Sequence, residues 1–343
     1  MTSISKQKSK WVNGIDSIRF FLALIVFLSH LHNPYVDILK SHHSKIDFFL
    51  GQLIAPIFSG TSAVIAFFII SGFVIHYPNK NKPLNVKNFL IRRLLRIGIP
   101  LIVIGGIASY CNVYSRIPVW SLYCELIYYT IYPILIRIKV SWKAKFWISF
   151  AVATIIILVF AHDDLLALVS QKDDKIIGQY WQFGLPLTWL VGLPCWLLGV
   201  LLAESFDAKQ KEVSKMRLWS FRIFVFCCSV GTQILRFKFC ISMLFSENIF
   251  AFLLFFWLSN ELVYYQRNKS IAFLEHLGKF SYSLYLCHEL FVMLIAQFMA
   301  LSVKTYPIYI LLTIGGSYFA YLLVEYPSHK LAQLLTSKKS LKI

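Results

Sequence analysis

The sequence predicts an all-α, polytopic integral membrane bundle of about ten transmembrane helices, with both termini cytoplasmic. Three observations carry this. Of 343 residues, 58% are hydrophobic and only 15% charged, with a mean hydropathy of +0.65. A soluble domain of this size sits near ~25% charged, because it must make a polar surface. The apolar runs are long enough, at about 20 residues each, to cross ~30 Å of hydrocarbon. Finally, the net charge of +18 is unevenly distributed between those runs.

The first run, 14–32, follows Lys6, Lys8 and Lys10. That charged start resembles a signal peptide, but Asp16 and Arg19 interrupt the run and no small-x-small cleavage site follows, so a retained first helix is expected. The other spans fall at 58–77, 94–111, 119–137, 146–161, 183–203, 218–236, 242–260, 280–300 and 306–324. With residues 1–13 placed inside, the basic residues of the intervening segments favour the inner side roughly three to one, the bias expected of cytoplasmic loops. An odd number of spans would break this alternation. Residues 14–327 then form one membrane domain, and residues 328–343 a basic cytoplasmic tail. The segment from His162 to Lys175, with Asp163, Asp164, Asp173 and Asp174, reads as a solvated outer loop.

The charge pattern argues against nucleic acid as a partner, since the basic residues form short clusters between apolar runs and no continuous basic face. The seven cysteines show no metal-ligand spacing with histidine and read as small buried hydrophobes, with a Cys111–Cys240 disulfide as the alternative. No metal site is expected.

Ionisable residues inside a bilayer are costly and call for a reason. Arg19 and His30 lie 11 residues apart, which places them on one helix face with an axial separation of ~16 Å. Asp16 lies one turn below Arg19 on the same stripe. Two readings stand: a local ion pair with a structural histidine, or a polar track leading from the cytoplasmic edge toward the outer one. Arg92, Arg93 and Arg96 fall at a cytoplasmic helix start, where they serve either as positive-inside anchors or as a phosphate clamp beside a positive helix terminus. Trp120, Ser121 and Glu125 open the fourth span, with Glu125 expected near the depth of His30. In the ninth span Ser281, Tyr282, His288 and Glu289 also lie at membrane depth. For Ser281 and Tyr282 interhelical hydrogen bonding is the simpler expectation.

These residues resemble, in order, the motifs of the acyltransferase 3 family of integral membrane acyltransferases. The matches are Gly14-Ile15-Asp16-Ser17-Ile18-Arg19, Ser29-His30, Phe67-Phe68-Ile69-Ile70-Ser71-Gly72-Phe73, and Arg93-Leu94-Leu95-Arg96 with Ile97 and Pro100. Trp120-Ser121-Leu122 with Glu125, Gly278 with Ser281-Tyr282, Tyr285-Leu286 and His288, and Glu325-Tyr326-Pro327 follow. Pro100 stands one residue further from Ile97 than the family's pattern has it. The resemblance implies transfer of an acyl group, by default acetyl, from cytoplasmic acyl-CoA to a hydroxyl of a cell-surface polysaccharide or glycolipid. The enzyme would be an O-acyltransferase of a bacterial inner membrane with no bound cofactor. It points to Arg19, His30, Arg93 and Arg96 as functional, with Arg92 beside them, and to Glu125 as an acidic partner of His30. His30 would act as general base or would carry the acyl group itself. Asp16, Ser71, Trp120, Ser121, Tyr282 and His288 would support. Some relatives carry an added extracytoplasmic domain, and this chain is expected to act without one. The competing class is a transporter or flippase of a lipid-linked glycan or acyl group, which also needs intramembrane charge. Oligomeric state is left open by the sequence.

Overall fold

The computed structural model describes residues 12–42, 44–113, 118–162, 166, 179–206, 212–239 and 241–337. Among the described residues all regular structure is helical. Each of the ten apolar runs falls on a helix. These are α1 (Ile15–His30), α4 (Gly60–His76), α5 (Val86–Tyr110), α6 (Trp120–Arg137), α7 (Trp142–Phe160), α8 (Gly184–Ser205), α9 (Lys215–Phe239), α10 (Met243–Arg267), α12 (Ser281–Ala296) and α13 (Tyr306–Ala320). Four shorter helices separate or extend them: α2 (Pro34–Ser41), α3 (Lys45–Ile54), α11 (Ala272–Gly278) and α14 (Tyr326–Thr336). The hydropathy pattern did not announce these four.

Five segments among the described residues are long and apolar enough to cross a membrane: Trp142–Phe160, Gly184–Ser205, Lys215–Phe237, Met243–Arg267 and Tyr306–Thr336. Gly60–His76 and Ser281–Ala296 are apolar but shorter. α5, which carries Arg92, Arg93 and Arg96, is not among them. α7, α9 and α13 show large apolar side chains outward, such as Trp147, Ile223 and Leu311, as lipid-facing helices do.

α4 and α8 form the centre and pack closely along much of their length. Glycines allow this approach. A Cβ at Gly72 would fall 2.0 Å from the Trp196 carbonyl oxygen, and one at Gly199 only 1.9 Å from that of Ile69. Small residues at such crossings are what lets membrane helices approach. α1 packs on α4 and α12, and α11 sits under its start. Gly14 enters α1 at φ +87, a left-handed conformation that L side chains rarely adopt. Glu275 of α11 then caps α1 from outside: its Oε1 accepts from the backbone N–H of Gly14 (3.1 Å) and Ser17 (3.2 Å) and from Ser17 Oγ (2.5 Å). A carboxylate at a helix N-terminus also complements the dipole. Gly14 and Gly278 of the family-like motifs are therefore packing residues; a Cβ at Gly278 would meet the Asp16 carbonyl oxygen at 2.0 Å.

Two expectations about segments change. α5 begins at Val86, capped by Asn85, eight residues before the apolar run starts. Its first turns are polar, and hydropathy alone does not see them. The last span runs on through a π turn, Tyr321–Glu325, into α14, which packs against α5. Cys111 is a free thiol, whereas Cys240 lies outside the described residues, as do Asp163, Asp164, Asp173 and Asp174 and residues 1–11 and 338–343.

Candidate active site

Two cavities meet inside the bundle. The first, about 90 Å³, is lined by Arg19, Ser71, Arg93, Arg96, Ser121, Glu125, Ser281 and Tyr282, together with apolar residues of α4 and α6. The second, about 410 Å³, is lined by Ser29, His30, Trp120, Gln179, Gln233 and Arg236 among others. Val64 and Tyr285 line both and form the wall between them. We refer to these as the arginine chamber and the histidine chamber.

In the arginine chamber the cations outnumber the carboxylates. Arg19 Nη1 approaches Asp16 Oδ1 at 3.5 Å, a long contact. The Arg93 guanidinium lies 5.8 Å from the Tyr129 ring centroid, in cation–π range. Glu125 accepts hydrogen bonds from Ser71 Oγ (2.8 Å) and from Tyr129 Oη, and Trp196 Nε1 donates to Ser71 Oγ at 3.3 Å. Glu125 is thus held on the chamber wall by α4 and its own helix. Tyr282 Oη donates to the Ile97 carbonyl at 2.9 Å, the interhelical bond expected of it. Ser281 Oγ is buried in the same chamber with no hydrogen-bond partner among the described residues.

The histidine chamber is organised differently. His30 is exposed to it, while His288 behind it is wholly buried. Their rings stack with centroids 5.1 Å apart and planes within 7°. His30 Nδ1 lies 2.9 Å from His288 Nε2. His288 Nδ1 lies 2.8 Å from the Tyr285 carbonyl and 3.2 Å from that of Leu284. A carbonyl can only accept, so His288 Nδ1 carries the proton. In the neutral pair His288 Nε2 is then the acceptor and His30 Nδ1–H the donor. The remaining nitrogen, His30 Nε2, keeps its lone pair.

Trp120 stacks on Tyr180, with centroids 5.6 Å apart, at the side of this chamber. Tyr285 Oη donates to the Pro118 carbonyl at 3.1 Å, so the 2.6 Å contact with Ser121 is donated by Ser121 Oγ. These bonds fix the dividing wall to α6.

Several expectations need correcting. Glu125 does not orient His30: it lines the arginine chamber, and its partners are Ser71 and Tyr129. The residue that orients His30 is His288, which spacing alone could not single out because it lies 258 positions away. Arg92 lies on the far face of α5, exposed, and its Nε donates to Thr336 Oγ1 of α14 at 2.6 Å. It lines neither chamber. Arg93 and Arg96 do reach the arginine chamber, but from the body of α5, so the helix terminus is not beside them. Arg19 lines the first chamber and His30 the second.

Sequence reasoning also missed Glu325, wholly buried in the π turn. It accepts from Ser283 N–H (3.1 Å) and Ser283 Oγ (2.6 Å). The closing Glu-Tyr-Pro motif was the available signal. His30, His288 and Glu289 are the described residues whose potential metal-ligand atoms come within 4.8 Å of one another.

The sequence profile of the acyltransferase 3 family, described as an acyltransferase domain, matches residues 12–324. The chain belongs to this family. The match spans both chambers and every motif from Gly14 to Tyr285 and His288. No curated protein and no solved structure matches the chain. Membership and the apolar helices together make this a multi-pass membrane acyltransferase.

Proposed function

We propose that the protein transfers an acyl group, by default acetyl, from cytoplasmic acyl-CoA to a hydroxyl of a polysaccharide or glycolipid at the outer face of a bacterial inner membrane. The observation that carries this reading is the adjacency of two chambers: one lined by three arginines and one lined by His30 share Val64 and Tyr285 as lining residues. Both termini are placed in the cytoplasm, from the loop-charge bias.

The donor nucleotide is anionic and stays at the inner face. Arg93 and Arg96 supply forked donors suited to phosphate, and Arg19 continues the positive lining upward. The narrowness of the arginine chamber suits an extended pantetheine arm. The thioester carbonyl is delivered past Tyr285 to the histidine chamber. There His30 Nε2 takes the proton of the acceptor hydroxyl as its oxygen attacks the thioester carbon. The tetrahedral intermediate collapses with cleavage of the C–S bond. His30 Nε2–H returns the proton to the departing CoA thiolate. While His30 is protonated, His288 Nε2 accepts its Nδ1–H and disperses the charge, the part an acidic group plays in a triad. Because Nδ1 is engaged and Nε2 is open, the base role is favoured over any reading that leaves the imidazole structural.

The test is release of CoA thiol and appearance of acylated surface glycan in membranes containing the protein. His30→Ala should abolish both while the protein remains folded in the membrane. A fully active His30→Ala protein would remove the mechanism.

A further inference from the structure

We infer that the acceptor is anionic and that Arg236 binds its carboxylate or phosphate inside the histidine chamber. This rests on the acyl-transfer reading and adds the substrate's charge to it.

Arg236 lies in the last turn of α9 and lines the chamber with Gln233, one turn before it. Its Nε is buried and has no hydrogen-bond partner among the described residues. Arg222 on the same helix is the useful contrast. It makes a bidentate pair with Glu261 (2.7 and 2.9 Å) and a further bond to Tyr265 Oη at 3.2 Å. Arg236 makes no such pair among the described residues. The nearby carboxylate of Glu247 accepts instead from Ser62 Oγ (2.9 and 3.0 Å) and Thr232 Oγ1 (3.1 Å). Among the described residues no acidic side chain lines the chamber; Glu289 has a carboxylate oxygen within 4.8 Å of the histidine pair but does not line it.

A second orphaned atom lies in the same wall. Gln179 Oε1 is buried with no partner among the described residues. A buried donor and a buried acceptor left unmade are each costly, and a ligand that draws these two lining side chains toward the chamber would relieve both. A planar guanidinium fork matches carboxylate and phosphate geometry, and a lone amide oxygen matches a sugar hydroxyl. The ligand that answers both is a glycan bearing a negative charge, from either a uronic-acid-type sugar or a phosphorylated headgroup.

The test uses the purified full chain in detergent. Diethyl pyrocarbonate modifies exposed imidazoles, and its rate at His30 is followed by peptide mass spectrometry. Methyl glucuronide, glucose 1-phosphate and neutral methyl glucoside are compared as protectants. At least one anionic sugar should protect at a concentration about tenfold lower than the neutral glycoside, the worth of one charge-assisted hydrogen bond. Which of the two does so identifies the source of the charge. Arg236→Gln should bring all three sugars to the same concentration, and Arg236→Lys should keep part of the difference. Equal protection by all three sugars in the unaltered protein, protection by none, or a difference that survives Arg236→Gln would overturn the proposal. The unprotected rate at His30 reads the acyl-transfer proposal separately: a His30 inert to the reagent would count against His30 as base.

Discussion

The arginine chamber and the histidine chamber lie end to end along α1, yet they are built from different materials. The first is a cavity of about 90 Å³ with three guanidiniums set among apolar and aromatic residues, and Glu125 tied back by Ser71 and Tyr129. The second, about 410 Å³, sets neutral hydrogen-bonding groups and Arg236 among apolar residues, with one imidazole held by another. On the proposed reading the smaller chamber fixes the donor's charge, and the larger one leaves space for an acceptor beside His30 Nε2. Substitutions in the two should therefore act on different kinetic quantities.

The largest effect belongs to His30. Its replacement by alanine removes the open lone pair and should lower turnover by ~10²–10⁴-fold, read as CoA thiol release in native membranes. Next is His288→Ala, which leaves His30 in place but frees its Nδ1. Turnover should fall by roughly 10–100-fold, the pH profile of kcat should move, and the KM for acyl-CoA should stay within about twofold. A purely structural role would not move the pH profile. Arg93→Ala acts in the other chamber. Losing a charge-assisted bond to phosphate should raise the KM for acyl-CoA about tenfold or more, with kcat changed much less. An effect on kcat alone would blur the division between the chambers. The smallest effect belongs to Arg92→Ala. It should leave both constants near their original values and lower thermal stability slightly, since it removes one hydrogen bond to α14 worth about 1 kcal/mol.

Much of this arrangement was legible in the sequence. The ten apolar runs fall on helices because burying or lipid-exposing twenty residues leaves little alternative to helical hydrogen bonding. The Arg19–His30 register follows from helix geometry alone, and the structure places the two on successive chambers. What escaped was whatever depends on contact between distant segments. His288 could not be paired with His30, nor Glu275 with the start of α1, from spacing within one helix. Glu125 was set at the depth of His30, but lateral position, which depth does not fix, put it beside Ser71 and Tyr129. Arg92, Arg93 and Arg96 read alike as a cluster; a 100° rotation per residue turns Arg92 toward α14 and the other two toward the chamber. The short helices α2, α3 and α11 escaped because eight to ten residues, or fewer, give a weak periodic signal.

The central claim is that a thioester held by the arginines is used at His30, which requires passage past Val64 and Tyr285. Placing a large ring in that wall tests it most directly. Val64→Trp should leave acyl-CoA binding intact and abolish CoA release in native membranes, while Val64→Ala keeps both. Transfer at an unchanged rate through Val64→Trp would contradict the account.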